Sequence, residues 1–203
     1  MDRRGYQKYV FDPQQRVLVG DFDKMYSSED TEGYDSWFER DLRFLRKRIG
    51  LELLNGYTFK RILDIGCGKG TFTQFLKKAN NEVVAIDVSP AALGKARRSF
   101  PDIDFRCLTA EQIGEIGGGR FDLAVVMGTF SYVEKWKSVL EQLSAIADRC
   151  FVEEWLPQDQ DPIGAVKSFS ELTETFQLHF DLEHKILIDD STIALMGATK
   201  NRK

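Results

Sequence analysis

The sequence predicts an α/β fold, an open and mostly parallel sheet flanked by helices, on three observations. Apolar runs of strand length alternate with segments of helical period between residues 60 and 147, the pattern of repeated strand–helix–strand units. The first run, Ile62–Ile65, breaks into the glycine loop Gly66-Cys67-Gly68-Lys69-Gly70 before a helix opens. The run Phe121–Met127 is almost continuously apolar, which suits a parallel strand buried on both faces.

Residues 1–33 are polar and aromatic without a sustained period, and Ser27–Gly33 reads as a loop. A helix is expected from about Tyr34 to Leu54, because Phe38, Leu42, Leu45, Ile49 and Leu53 recur at spacings of three and four and Asn55-Gly56 can close it. After the first strand a second helix spans about Gly70 to Ala79, and Asn81–Asp87 forms the second strand. Ser89-Pro90 starts a third helix, serine as cap and proline in the first turn, which reaches about Phe100. The third strand, Asp104–Leu108, is followed by Thr109-Ala110-Glu111, and Gly117-Gly118-Gly119 turns the chain into the fourth, Phe121–Met127. A helix from Tyr132 to Ala147 leads to a fifth strand, Arg149–Trp155. Its two prolines make Leu156–Pro162 a loop, and a helix from about Ile163 to Phe176 follows. Leu178–Ile188 and Thr192–Thr199 pair as a hairpin across Asp189-Asp190-Ser191. There is no internal repeat and no low-complexity segment.

The glycine loop and the second strand carry the chemistry. Glycine admits positive φ and close approach of a ligand to the backbone, and a strand-to-helix loop aims N–H groups at what sits there. Asp87 lies 19 residues after Gly68, near the spacing of a carboxylate that binds a ribose in a nucleotide site. A dinucleotide site wants G-x-G-x-x-G; here that last position is Thr71, and the third glycine comes one residue early, at Gly70.

These segments, in this order, resemble the class I S-adenosylmethionine-dependent methyltransferases over roughly residues 60–147. The resemblance implies a Rossmann-like, seven-stranded, mostly parallel sheet with a C-terminal antiparallel hairpin and an N-terminal helical lid. One domain is expected over 1–203, with 1–55 as lid and helix and 60–200 as the cofactor-binding core. Asp64 to Gly70 matches the family motif D-x-G-x-G-x-G, so Asp64, Gly66, Cys67, Gly68 and Gly70 are implied as cofactor contacts. Asp87 matches the ribose acid, with Val88 beside it. Thr109-Ala110-Glu111 falls where the family contacts adenine, Thr109 standing where aspartate is common. Met127 opens the loop beside the methionine part, and Tyr132 stands where the family often has histidine. The implied cofactor is S-adenosyl-L-methionine, leaving S-adenosyl-L-homocysteine as product. The Tyr34-x-x-Trp37 region and short body are loosely similar to bacterial amino-sugar N-methyltransferases.

The expected activity is methyl transfer by in-line displacement to nitrogen or oxygen of a small molecule. Tyr132 and Glu154 are the candidate bases; adjacent strand residues face opposite ways, so at most one of Glu153 and Glu154 should enter the site. Tyr26, Tyr34 and Trp37 are expected to wall the site against water, with a cation–π contact available to the sulfonium. The basic run Arg40, Arg43, Arg46, Lys47 and Arg48 reads as a solvated helix face, or more sharply as an anion site for an acidic substrate. His179 and His184 are placed on opposite faces of the sixth strand, as surface or structural residues. Two other readings fit the motifs: a non-catalytic cofactor-binding partner subunit, and an aminopropyl-transfer enzyme.

Composition narrows the partners. With 203 residues, 42% of them hydrophobic, one domain with a sizeable core is expected. A net charge of −4 argues against a nucleic-acid-binding body, and no apolar run is long enough to span a membrane. The N-terminus lacks the apolar core of a signal peptide. Cys67, Cys107 and Cys150 lack metal-ligand spacing and are expected as buried free thiols, with no metal site. A cytoplasmic monomer or homodimer follows as the expectation.

Overall fold

The computed structural model describes residues 5–38, 44–156 and 163–200. A short helix α1 (Gln7–Val10) and a small hairpin, β1 (Phe11–Asp12) with β2 (Val17–Leu18), precede α2 (Phe22–Glu32), a 3-10 turn (Ser36–Phe38) and α3 (Leu45–Asn55). The core then alternates β3 (Arg61–Ile65), α4 (Thr73–Leu76), β4 (Glu82–Asp87), α5 (Pro90–Ser99) and β5 (Asp104–Cys107). After a 3-10 turn at Ala110–Glu115 come β6 (Phe121–Met127), another at Phe130–Tyr132, α6 (Trp136–Ile146) and β7 (Ala147–Trp155). The chain closes with α7 (Phe169–His179), β8 (Phe180–Ile188) and β9 (Thr192–Thr199).

Seven strands form one sheet in the order β5-β4-β3-β6-β7-β9-β8. Every pairing up to β6–β7 is parallel, and β9 runs antiparallel to both neighbours. The two faces separate by strand alternation. Leu63, Ile65, Val84, Ile86, Val126 and Val152 pack under α6 and α7, whereas Ile62, Val83, Ala85, Val125 and Phe151 face α3, α4 and α5. The chain leaves β3 first to one side, for β4, and later to the other, for β6, so strand order reverses between β3 and β6. A ligand crevice is expected beyond the carboxyl ends of the strands at that point.

Several expectations are corrected. Ser27–Gly33 is the second half of α2, not a loop. Asp21 caps this helix, its carboxylate accepting from the Lys24 amide, and Gly33 ends it at φ 73°. Composition concealed the helix because its buried face, Met25, Tyr26 and Glu29, includes a carboxylate. The helix expected from Tyr34 is instead the turn at Ser36–Phe38 and then α3; Arg40, Leu42 and Arg43 lie outside the described residues. The second helix is a single turn, and α6 begins at Trp136 rather than Tyr132. The helix expected from Ile163 starts at Phe169, where the Ser168 hydroxyl accepts from the Glu171 amide. It runs on through His179, which is therefore helical, while His184 lies in β8 and shares a 2.8 Å hydrogen bond with the Tyr57 hydroxyl. Cys67 and Cys150 are buried, but Cys107 is exposed, because it ends a strand at the edge of the sheet.

The N-terminal elements pack over the site. Val10 and Met25 are fully buried. Asp23 of α2 accepts hydrogen bonds from the Ser89 hydroxyl (2.9 Å) and the Ala91 amide (2.8 Å), capping α5 from outside. No described helix is long and apolar enough to cross a membrane, and no group of His, Cys, Asp or Glu among the described residues could hold a metal ion.

Candidate active site

A cavity of about 580 Å³ opens at the carboxyl ends of β3, β4, β6 and β7 and is roofed by the N-terminal elements. Its size suits a small-molecule site. Of the residues expected from the sequence, Tyr26, Trp37, Asp64, Gly66, Cys67, Asp87, Val88, Ala110, Met127, Tyr132 and Glu154 line it.

Asp87, at the end of β4, holds the glycine loop to α5. One carboxylate oxygen accepts from the Gly68 amide and the other from the Ser89 amide, both at 2.9 Å. Burial pushes the Asp87 carboxyl above the usual aspartate range, and those N–H groups oppose the shift. Each oxygen keeps lone pairs for a further donor. Asp64 is buried and accepts from the Thr73 hydroxyl at 2.6 Å, which ties β3 to α4. The glycines serve close packing. A side chain at Gly66, φ 73°, would meet the Thr129 hydroxyl at 2.2 Å; one at Gly70, φ 74°, would meet the Phe105 ring at 2.8 Å.

Five expected residues lie off the cavity. The Gly68 amide is committed to Asp87, and Gly70 faces Phe105 and Phe100. The Thr109 hydroxyl closes a capping box with Gln112, and Glu111 follows it on the exposed first turn. Tyr34 donates its hydroxyl to the Met25 carbonyl at 2.6 Å, and burial pushes that phenol up to about 12.

Glu153 and Glu154 are both buried and both line the cavity, against the expectation that only one would enter. They do face opposite ways, but the cavity lies past the strand end and reaches both faces. Glu154 is occupied: it accepts from the Thr129 amide (2.8 Å), the Phe130 amide (2.5 Å) and the Ser131 hydroxyl (2.9 Å), and so shapes the loop after β6. Burial, then the charge of Glu153, push its carboxyl up to about 7. The Glu153 carboxylate accepts no hydrogen bond among the described residues; Arg46 of α3 stands 3.6 Å away as its ion-pair partner. Burial also raises Glu153, with Arg46 opposing. Arg46 and Lys47 of the basic run therefore line the cavity rather than a solvated face. Lys47 is itself buried and donates to the Phe38 carbonyl at 2.9 Å.

An aromatic wall completes the site, joining the expected Trp37 and Tyr132 to Phe11 and Phe22, which the sequence did not single out. The Tyr132 ring packs on Trp37, Phe22 and Phe11 at centroid distances of 5.3, 5.5 and 5.9 Å. Burial drives the Tyr132 phenol well above its ordinary range, and the nearby Glu154 adds to the shift. The three rings around Tyr132 come from separate N-terminal elements, so no local period links them.

A family model described as a methyltransferase domain matches residues 63–148. That match supports a class I S-adenosylmethionine-dependent methyltransferase domain over those residues. The chain is 34% identical over 89 residues to a ubiquinone biosynthesis O-methyltransferase of Pseudomonas aeruginosa (strain LESB58), an overlap of 42% of this chain and 38% of the relative. The corresponding enzyme of Aromatoleum aromaticum is 35% identical over 82 residues, 38% of this chain and 35% of the relative. The chain thus spans well under half the length of these curated relatives. Among solved structures, the N-methyltransferase NodS of Bradyrhizobium japonicum WM9, bound to S-adenosyl-L-homocysteine, superposes with a TM-score of 0.71 at 19% identity, over 87% of this chain and 98% of that one. The 1,6-didemethyltoxoflavin-N1-methyltransferase of Burkholderia thailandensis gives 0.66 at 16% identity, over 89% and 88%. These likenesses concern the fold alone.

Proposed function

We propose that this chain transfers a methyl group from S-adenosylmethionine to nitrogen or oxygen of a small-molecule acceptor. One observation carries the reading: Asp64, the Gly66 loop, Asp87 and Met127, at the ends of three adjacent strands, all border one cavity at the point where strand order reverses. When bound, S-adenosylmethionine supplies an electrophilic methyl on a sulfonium, already a good leaving group.

The residues present fit that cofactor. Asp87 can accept two ribose hydroxyls while still holding Gly68 and Ser89. Val88, Leu108 and Ala110 offer an apolar slot for an adenine, and Asp64 a negative charge for an ammonium group. The protein's own task is alignment, which can supply up to roughly 7–11 kcal/mol of the barrier. The aromatic wall excludes water and gives a flat acceptor a surface to lie on. A base is needed only if the acceptor arrives protonated. Tyr132 is a poor base, since burial disfavours its ionised form, and Glu154 is engaged with the 129–131 loop. The Glu153 carboxylate accepts no hydrogen bond among the described residues and has only the Arg46 ion pair beside it, so we assign it to receive that proton.

The named relatives methylate oxygen and the named structures nitrogen, which supports a small-molecule acceptor of either kind. Labelled S-adenosylmethionine, incubated with the protein and a panel of catechols, phenols and primary amines, tests the reading. Label should appear in one acceptor class. Tight S-adenosylhomocysteine binding with no transfer to any acceptor, in this panel and in a cell metabolite extract, would instead favour a non-catalytic binding subunit.

A further inference from the structure

The glycine loop carries a charge that the cofactor reading does not use. Lys69, between Gly68 and Gly70, is buried and does not line the cavity. Its ammonium reaches back to the N-terminal elements, donating to Glu29 of α2 at 2.8 Å and to Asp35 at 2.5 Å. Lys95 of α5 donates to the other Glu29 oxygen at 2.8 Å, and the Ser36 amide donates to Glu29 at 2.8 Å. Burial would raise the Glu29 carboxyl, but the two lysines outweigh it and hold Glu29 below its ordinary range.

This cluster grips the start of the 3-10 turn at Ser36–Phe38, and Lys47 grips its end through the Phe38 carbonyl. Inside that turn Trp37 and Phe38 have φ of 58° and 50°, a left-handed conformation that is costly for aromatic residues. Backbone held in such a state persists only where its surroundings over-determine it, and such sites often carry function. Both rings line the cavity, and Trp37 packs on Tyr132 at 5.3 Å. A buried ion pair is by itself weak support for stability. Here it fixes a strained turn at the site's wall, from the glycine loop that borders the cavity.

We propose that Lys69 is a positioning residue: by clamping Glu29 and Asp35 it sets the Trp37–Phe38 wall against which the methyl acceptor is aligned. This rests on the methyltransferase reading, and it makes the central loop serve both ends of the site. Its backbone and Asp87 organise the cofactor side, while its one charged side chain organises the acceptor side.

The test compares Lys69→Met, Lys69→Arg and Asp35→Asn with the wild type in the intact chain. Lys69→Met leaves Glu29 paired with Lys95; Asp35→Asn removes only the link to the turn and covers the case in which Lys69→Met does not fold. Two measurements come first: amide exchange of a 33–38 peptide and calorimetry with S-adenosylhomocysteine. Exchange should accelerate at least tenfold in Lys69→Met and Asp35→Asn, return toward wild type in Lys69→Arg, and stay unchanged in β3 and β4. Affinity for S-adenosylhomocysteine should stay within about threefold. In the transfer assay, kcat/KM for the acceptor should fall at least thirtyfold with KM for S-adenosylmethionine unchanged. Unchanged exchange at 33–38 would overturn the proposal, as would cofactor affinity falling in step with turnover. If the wild type does not bind S-adenosylhomocysteine, the methyltransferase reading fails, and the exchange comparison still decides whether Lys69 clamps the turn.

Discussion

Replacing Gly66 by alanine probes how tightly the cofactor loop is locked to the acceptor loop. Two costs add. Gly66 sits at φ 73°, where an L-residue loses roughly 1–2 kcal/mol. The new Cβ would also fall 2.2 Å from the Thr129 hydroxyl oxygen and 2.6 Å from its methyl, a clash of the kind that costs about 1–3 kcal/mol. Gly66→Ala should therefore destabilise by about 2–5 kcal/mol. Thr129→Ala removes both clashing atoms and leaves only its own Cβ, 3.0 Å away. It gives up the hydroxyl's bonds to the Ile65 and Met127 carbonyls, worth about 1 kcal/mol together because both are long, at 3.3 and 3.2 Å. The double variant should then be more stable than the sum of the two losses predicts, by about 1–3 kcal/mol. Urea unfolding of the four proteins at one pH measures this coupling. Additivity within about 0.5 kcal/mol would refute the steric account, and a Gly66→Ala loss below about 1 kcal/mol would refute the backbone account as well.

Asp87→Ala should weaken S-adenosylhomocysteine binding by roughly ten- to a thousand-fold in calorimetry, since two hydrogen bonds to a charged acceptor are lost; undiminished affinity in a folded variant removes Asp87 from the site. Glu154, pushed up to about 7 by burial and Glu153, keeps a proton between pH 4 and 7 that the unfolded chain has released. Its contribution is thus fully present below about pH 4 and lost as pH rises through 7, a span of about 3 kcal/mol. Glu154→Gln should flatten stability between pH 5 and 8, and a slope equal to the wild type's would contradict the raised value. Tyr132→Phe should keep kcat within about threefold, because the phenol is not used as a base, whereas Glu153→Gln should lower it by roughly 10²–10⁴ for an acceptor that must lose a proton. Equal effects of these two changes would reverse the assignment.

The half of the site that belongs to the sheet was legible because its residues end strands. The apolar runs locate β3, β4 and β6, and a loop or acid at each carboxyl end must reach the crevice, as Gly66, Asp87 and Met127 do. Of the roof, Tyr26 and Trp37 were legible, but its architecture was not. The buried face of α2 contains Glu29, whose burial depends on Lys69, 40 residues away, so charge in that segment reads as loop. Trp37 and Phe38 adopt a backbone conformation that their side chains disfavour, and helical periodicity cannot anticipate it. Glu153 and Glu154 obey the alternation rule, yet both reach the cavity because it wraps the end of β7. The glycines were found by spacing, but the packing of Gly70 against Phe105 could not be read from it.

The most direct test of the account is calorimetric titration of the intact chain with S-adenosylhomocysteine and, separately, with NAD. The account predicts one site for S-adenosylhomocysteine, abolished or strongly weakened in Asp87→Ala, and no comparable binding of NAD. Saturable NAD binding with none of S-adenosylhomocysteine would contradict it.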